Sequence, residues 1–205
     1  AAEVEEGKAR FGSTLDALAR IIGGELQRTW GKQVTVENRP GENGNAGTRY
    51  AAMAPADGHT TLMIGTNFAA NPILGENAGY DPMLNFAPVS ELVSLPTIAV
   101  VHPIFPAQNV KTLVEVLILS PGQFSYASAG YGTSLHLAAE AFKHATKIQM
   151  LHVPFKNSKQ AEAAIIGGDV QIVLAPLATA MPMIQAGRVR PLAIGAPDFP
   201  RAYLE

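Results

Sequence analysis

The 205 residues are 47% hydrophobic and 16% charged, with 19 Gly and 15 Pro scattered through a varied sequence, which excludes intrinsic disorder and collagen-like or low-complexity chains. Seventeen acids against fifteen bases leave a formal net charge of −2 and no basic stripe, so nucleic acid is not an expected partner. No apolar run approaches the ~20 residues that span a bilayer, and the lack of cysteine removes disulfides, thiol catalysis and Cys-ligated metals. Domains of roughly 100–200 residues allow one large or two small units. Residues 1–10 carry Glu3, Glu5, Glu6 and Lys8 where a signal peptide would carry an apolar segment. The expected compartment is therefore the cytosol, or outside it for a mature, processed chain.

Short β-rich runs alternate with helical periodicity, the pattern of an α/β protein with a largely parallel sheet. Leu15, Leu18, Ile22, Leu26 and Trp30 line one face of a first helix, capped by Ser13 or Thr14 and closed by Gly31. Residues 33–38 read as a strand, 39–47 as a turn-rich loop entering a short helix through Ala54, 55–59 as a turn and 60–65 as a second strand. A Pro- and Asn-dotted segment leads into an extended run over 88–101. Val110, Leu113, Val114, Leu117 and Ile118 then mark a helix behind an Asn109 cap, ended by Pro121-Gly122. Beyond it strands are expected at 124–128, 149–153, 170–174 and 189–195, with helices at 134–145, 158–166 and 179–186. Gly167-Gly168 and Gly187 stand where helix C-terminal glycines belong. The charged opening and the stop just after a strand lead us to expect that the chain is part of a larger natural unit.

Familiar catalytic signatures are missing. There is no P-loop, Gly130-Tyr131-Gly132 lacks the third glycine of a dinucleotide loop, and Ser128 lacks the glycines of a nucleophile elbow. The five histidines form no HExxH and no i, i+4 pair, so no metal or cofactor is expected. Two loop-to-helix junctions are more informative: Gly12-Ser13-Thr14 before the first helix, and Ala129 to Ser134 between a strand and a helix. Small residues, free N–H groups, hydroxyls and a helix N-terminus receive an anion without a lysine or arginine. Thr66-Asn67 and Lys156 each follow a predicted strand, and ligands of open α/β sheets bind beyond the carboxyl ends of strands.

Specific motifs then accumulate in order. They are Val36-Glu37-Asn38-Arg39-Pro40-Gly41-x-x-Gly44-Asn45, Ala54-x-x-Asp57-Gly58-His59-Thr60 and Gly65-Thr66-Asn67. Tyr80-Asp81-Pro82-x-x-Asn85-Phe86-Ala87-Pro88-Val89 and Tyr126-Ala127-Ser128-Ala129-Gly130-x-Gly132-Thr133-Ser134-x-His136-Leu137 follow. His152-Val153-Pro154-Phe155-Lys156 and Ala186-Gly187-Arg188-Val189-Arg190-Pro191-Leu192-Ala193 complete the set. From about Gly12 to Pro200 the chain resembles the solute-binding proteins of tripartite tricarboxylate transporters, the Bordetella uptake gene family.

The resemblance implies a two-lobed, periplasmic-binding-protein-like (Venus flytrap) α/β fold with mostly parallel sheets. It assigns 1–100 to a first lobe, with 196–205 returning to it, and 101–195 to a second, with 93–101 and 190–196 as crossing strands. It implies a periplasmic monomer that captures a small mono- or dicarboxylate and delivers it to membrane permease subunits, with no covalent chemistry and no cofactor. By position, Gly12, Ser13, Thr14 and Asp16 match the first ligand loop, Thr66 and Asn67 the second. Ser128, Ala129, Gly130, Gly132, Thr133 and His136 match the second-lobe loop, with Lys156 further on. The chain departs from the family in its charged start, in Phe11-Gly12-Ser13 where a glycine pair is usual, in Ala175-Pro176 and in its shorter C-terminal part. The rival expectation is an α/β serine hydrolase of small esters using Ser128 or Ser134 with His136 and an acid. A third is a fragment without a small ligand, completed by a partner.

Overall fold

The computed structural model describes residues 14–75 and 77–196, so Gly12 and Ser13 lie outside the described residues. The chain divides into two compact units, with the boundary between Ala87 and Pro88.

The first unit begins with α1 (Thr14–Trp30). Leu18, Ile22 and Leu26 of its predicted apolar face are half-buried, while Leu15 and Trp30 at its ends are exposed. Gly31, at φ 62°, takes the left-handed conformation that ends the helix, its N–H reaching the Gln27 carbonyl at 3.0 Å. Residues 33–38 show the period-2 burial of a strand, with Val34, Val36 and Asn38 turned inward. Val36 packs so closely on α1 that a Cβ at Gly23 would stand 3.1 Å from its Cγ2. Neither this segment nor 60–65 is a strand, however; both are extended chain without a ladder among the described residues. A strand is defined by its pairing, and inward alternation alone does not supply a partner.

The next turn, Glu42–Gly44, leads into α2 (Asn45–Ala52), and α3 (Asn67–Leu74) follows. Helix α3 was not expected, because Pro72 lies inside it and removes one helical N–H. The carbonyl orphaned by that loss belongs to Phe68, and the Tyr80 hydroxyl donates to it at 2.8 Å. Phe68 and Tyr80 also stack at 5.5 Å, and Phe86 meets both rings edge-on.

The second unit holds a five-stranded sheet: β1 (Thr97–Val101), β2 (Ser125–Ser128), β3 (Leu151–Pro154), β4 (Ile172–Pro176) and β5 (Arg190–Ile194), in the order β3-β2-β4-β1-β5. β2 runs parallel to β3 and β4, and β1 is antiparallel to β4 and β5; four strands thus share one direction. The helices are α4 (Val110–Leu119), α5 (Ser134–Thr146), α6 (Ser158–Gly167) and α7 (Leu177–Gln185). Ala161, Ala164 and Ile165 of α6 and Leu177, Ala180 and Met183 of α7 cover one sheet face with Val100, Ala127 and Val173. Leu113 and Leu117 of α4 and Ala139 of α5 cover the other, over Val101, Tyr126 and Ile172. Helices on both faces explain why β4 is buried along nearly its whole length.

Helix α4 starts on a reciprocal cap. Asn109 Oδ1 accepts from the Thr112 N–H at 3.0 Å, and Thr112 Oγ1 accepts from the Asn109 N–H at 3.3 Å. Asn109→Ala is expected to cost about 1 kcal/mol, read as a lower urea midpoint with an unchanged slope.

Candidate functional site

Because β2, β3 and β4 are parallel, their carboxyl ends lie along one edge of the sheet. The loop that leaves β2 there, residues 129–133, is built on backbone conformations that favour glycine: Gly130 has φ 114° and Gly132 φ 71°. Short bonds fix its path. The Gly130 N–H donates to Ser128 Oγ at 3.1 Å, Thr133 Oγ1 donates to the Gly130 carbonyl at 2.7 Å, and the Gly132 N–H donates to His136 Nδ1 at 3.1 Å. Thr133 stands at the N-cap of α5, but its hydroxyl is spent on Gly130 and gives the helix no side-chain cap. The first-turn N–H groups of α5 thus keep the positive end of the helix without a capping oxygen from Thr133.

Beneath the loop stands a polar and aromatic cluster. Ser128 Oγ is fully buried and 2.6 Å from His152 Nε2. The His152 ring stacks on His136 at 4.4 Å and on Tyr126 at 4.8 Å, and Tyr131 meets both imidazoles edge-on. The Tyr126 hydroxyl donates to Glu140 Oε1 at 2.5 Å, and Lys143 Nζ donates to the same oxygen at 2.7 Å. Burial, reinforced by the bond to Glu140, holds the Tyr126 phenol above its ordinary range. Burial pushes the Glu140 carboxyl upward, but the bonds from Lys143 and Tyr126 outweigh it and leave it below the ordinary range. Burial, and then the neighbouring His136, lower His152.

This last shift has a stability consequence. Since His152 binds its proton less readily folded than unfolded, the unfolded chain gains protons first on acidification. The stability it contributes is full above the unfolded value of 6.5 and is lost as pH falls from there toward the folded value. Urea midpoints measured from pH 8 to pH 5 are expected to decline through this window, and to decline less in His152→Gln.

In the first unit, the sequence-predicted Thr14 opens α1 and Asp16 lies in its first turn. The Asp16 carboxylate accepts from Asn38 Nδ2 at 2.8 Å and pairs with Arg20 at 3.1 Å; the Asn38 bond leads in lowering its pKa. A Cβ at Gly65 would stand 3.5 Å from Leu15 Cδ1, so the head of α1 and the 65–67 loop are neighbours. Thr66 is exposed, and Asn67 donates to the Asn43 carbonyl at 2.6 Å. Asn71, buried, donates to the same carbonyl at 3.0 Å and to Asn45 Oδ1 at 2.6 Å, and accepts from Asn43 Nδ2 at 2.8 Å. These four asparagines tie α3 to the 41–45 loop.

The structure thus gathers Ser128, Ala129, Gly130, Gly132, Thr133 and His136 into one loop-and-helix junction. Ser128 is its buried support. Lys156 follows β3 on the same sheet edge and is exposed, its N–H donating to Gln160 Oε1 at 3.1 Å. Sequence reasoning missed His152, Tyr126, Tyr131, Glu140 and Lys143 as parts of the site. The parallel pairing of Tyr126 with His152 is the link, and no spacing in the sequence announces it. Ser128 meets His152 where the hydrolase reading had His136, and Glu140 is held by Tyr126 and Lys143. An attacking hydroxyl needs access to substrate, whereas this one is buried. Among the described residues no group of three or more His, Asp or Glu is placed to hold a metal ion, and no helix is long and apolar enough to cross a membrane.

The open α/β sheet thus carries a glycine loop and a helix N-terminus without a side-chain cap at the carboxyl ends of its parallel strands. The sequence profile of the tripartite tricarboxylate transporter family receptors matches residues 18–200, and the chain belongs to that family. It is 33% identical over 187 residues to the UPF0065 protein in the tcbD-tcbE intergenic region of Pseudomonas sp. strain P51, covering 91% of this chain and 56% of that protein. Its fold matches R. palustris Rpa4515 with adipate at a TM-score of 0.83 and 31% identity, covering 92% of this chain and 63% of the other. The periplasmic binding protein BugD matches at 0.79 and 29% identity, with the same coverage of 92% and 63%. The chain therefore has the fold of periplasmic solute-binding proteins and spans less than two thirds of the length of each of these relatives.

Proposed function

We propose that this protein is a periplasmic receptor that captures a small mono- or dicarboxylate and hands it to the membrane permease subunits of a tripartite tricarboxylate-type transporter, acting as a monomer and without covalent chemistry. The observation that carries the proposal is the 129–136 junction. Two glycines in conformations other residues resist turn the chain into α5, and that helix N-terminus, which its own threonine does not cap, presents its first-turn N–H groups to an oxyanion. The N–H groups at the head of α5 are the proposed contacts there, with Ser128, Ala129, Gly130, Gly132, Thr133 and His136 shaping the loop and Lys156 beside it. Gly12, Ser13, Thr14, Asp16, Thr66 and Asn67 belong to the same proposal for the first lobe, as does the assignment of 1–100 with 196–205 and of 101–195 to separate lobes. Membership in the family supports the reading, and so does the adipate in the R. palustris relative.

The test is thermal unfolding of the intact protein with aspartate, glutamate, succinate, malate, citrate, adipate, pyroglutamate and aromatic acids. A ligand at about 100 times its Kd stabilises the folded state by roughly 2.7 kcal/mol. A selective upward shift supports capture. A cooperative melt indifferent to every acid, together with turnover of small esters, would replace the proposal with the hydrolase.

A further inference from the structure

The glycine loop is held by two imidazoles, and one bond fixes the tautomer of His136. A backbone N–H can only donate, so the Gly132 contact makes His136 Nδ1 an unprotonated acceptor, with the ring proton on Nε2. Ser128 has one hydroxyl proton to place, since its oxygen already accepts from the Gly130 N–H. His152 Nε2 at 2.6 Å is the nearer acceptor, and the alternative, the Gly130 carbonyl at 3.2 Å, already receives Thr133. A carbonyl has two lone pairs, so the hydroxyl proton goes to His152 Nε2 or to the Gly130 carbonyl according to which His152 nitrogen carries the ring proton.

We infer that His136 and His152 are positioning residues for the carboxylate-binding loop and that acid, by protonating His136, switches ligand capture off. The inference rests on the receptor reading above. A proton on His152 is tolerated locally, because the new N–H donates to Ser128 and the hydroxyl turns to the Gly130 carbonyl. A proton on His136 Nδ1 is not, because it faces the Gly132 N–H head-on and releases that end of the loop. Two charged imidazoles would also stand face to face at 4.4 Å. The other titratable groups facing the pair are Tyr126 from β2, Tyr131 from the loop, and Glu140 and Lys143 from α5. Glu140 favours an imidazolium; Lys143, the helix N-terminus and the second imidazole oppose it. Imidazoles titrate between about pH 5 and 8, where a periplasmic receptor would meet changing acidity.

The experiment compares native protein with His136→Asn, whose Oδ1 replaces Nδ1 as an acceptor that does not titrate. Adipate affinity is measured by calorimetry at pH 7.5 and 5.0. The native affinity is expected to fall at least tenfold more than that of the variant, whatever the variant's absolute affinity; titration of the ligand itself cancels between the two. In ligand-free native protein, the Gly132 amide resonance should move together with the His136 Nδ1 nitrogen shift that reports protonation. Equal falls in the two proteins overturn the inference, as does a Gly132 amide that stays fixed while His136 titrates. If adipate binds neither protein at pH 7.5, the receptor reading fails for that acid, while the Gly132 and His136 resonances still decide whether the brace lets go.

Discussion

Replacing Gly132 by valine is expected to weaken carboxylate binding at least tenfold. Gly132 is buried and has φ 71°, in the left-handed region that costs an L-residue roughly 1–2 kcal/mol and a β-branched one more. Its N–H is fixed on His136 Nδ1, so the side chain cannot be relieved by turning the peptide without losing that bond. The loop would relax out of its observed path, and the ligand would have to restore it at the expense of binding free energy. At about 1.4 kcal/mol per tenfold, roughly 1–2 kcal/mol is about five- to thirtyfold, and the β-branched side chain places valine in the upper part of that range. Gly122→Val is the control. Gly122 has nearly the same φ, 68°, with nothing within 4 Å of an added Cβ, and lies in the turn before β2. It should lower stability by a similar backbone cost and leave Kd unchanged. Calorimetric titration of both variants with adipate separates the two effects; equal losses of affinity would mean the loop geometry is not what the ligand uses.

The second large effect is on stability. Among the described residues Tyr126 is the largest fully buried side chain; its ring packs among Leu113, Leu117 and Ile172 and under His152. Tyr126→Ala is expected to cost about 3–5 kcal/mol, the range for truncating a buried aromatic residue. Tyr126→Phe keeps the ring and removes the bond to Glu140, which retains Lys143 as a partner; about 1 kcal/mol is expected. Urea unfolding of the pair gives the answer directly. If phenylalanine is as damaging as alanine, the hydroxyl–carboxylate bond dominates over packing, contrary to this account.

Much of the fold was legible because its signals are local. The apolar spacing of α1 and α4, the Asn109 cap and the glycines after α6 and α7 are short-range features, and all appear where expected. Strands β2 to β5 were readable from apolar runs bounded by turns, to within a residue or two, whereas only the last five residues of the extended run expected over 88–101 pair, as β1. Pairing is what sequence reasoning lacked. Val34 and Val36 alternate as a strand does, yet alternation reports which side is buried and not who the neighbour is. Helix α3 was hidden by Pro72, since the compensating hydroxyl sits on Tyr80, eight residues further on. The site divides in the same way. The 129–136 loop was visible from its glycines and hydroxyls. The cluster beneath it, which joins Tyr126, His152 and Glu140 from β2, β3 and α5, exists only once β2 and β3 lie side by side.

The most direct test of the central claim is to map adipate, or whichever acid shifts the melt, onto the backbone of the intact protein by amide resonance perturbation. The account predicts that the amides of Gly130 to Leu137 are among those most strongly perturbed and saturate with the Kd found by calorimetry. Saturable binding of a carboxylate that leaves those amides unmoved would contradict it, because the glycine loop and the head of α5 would then not be where the anion is held.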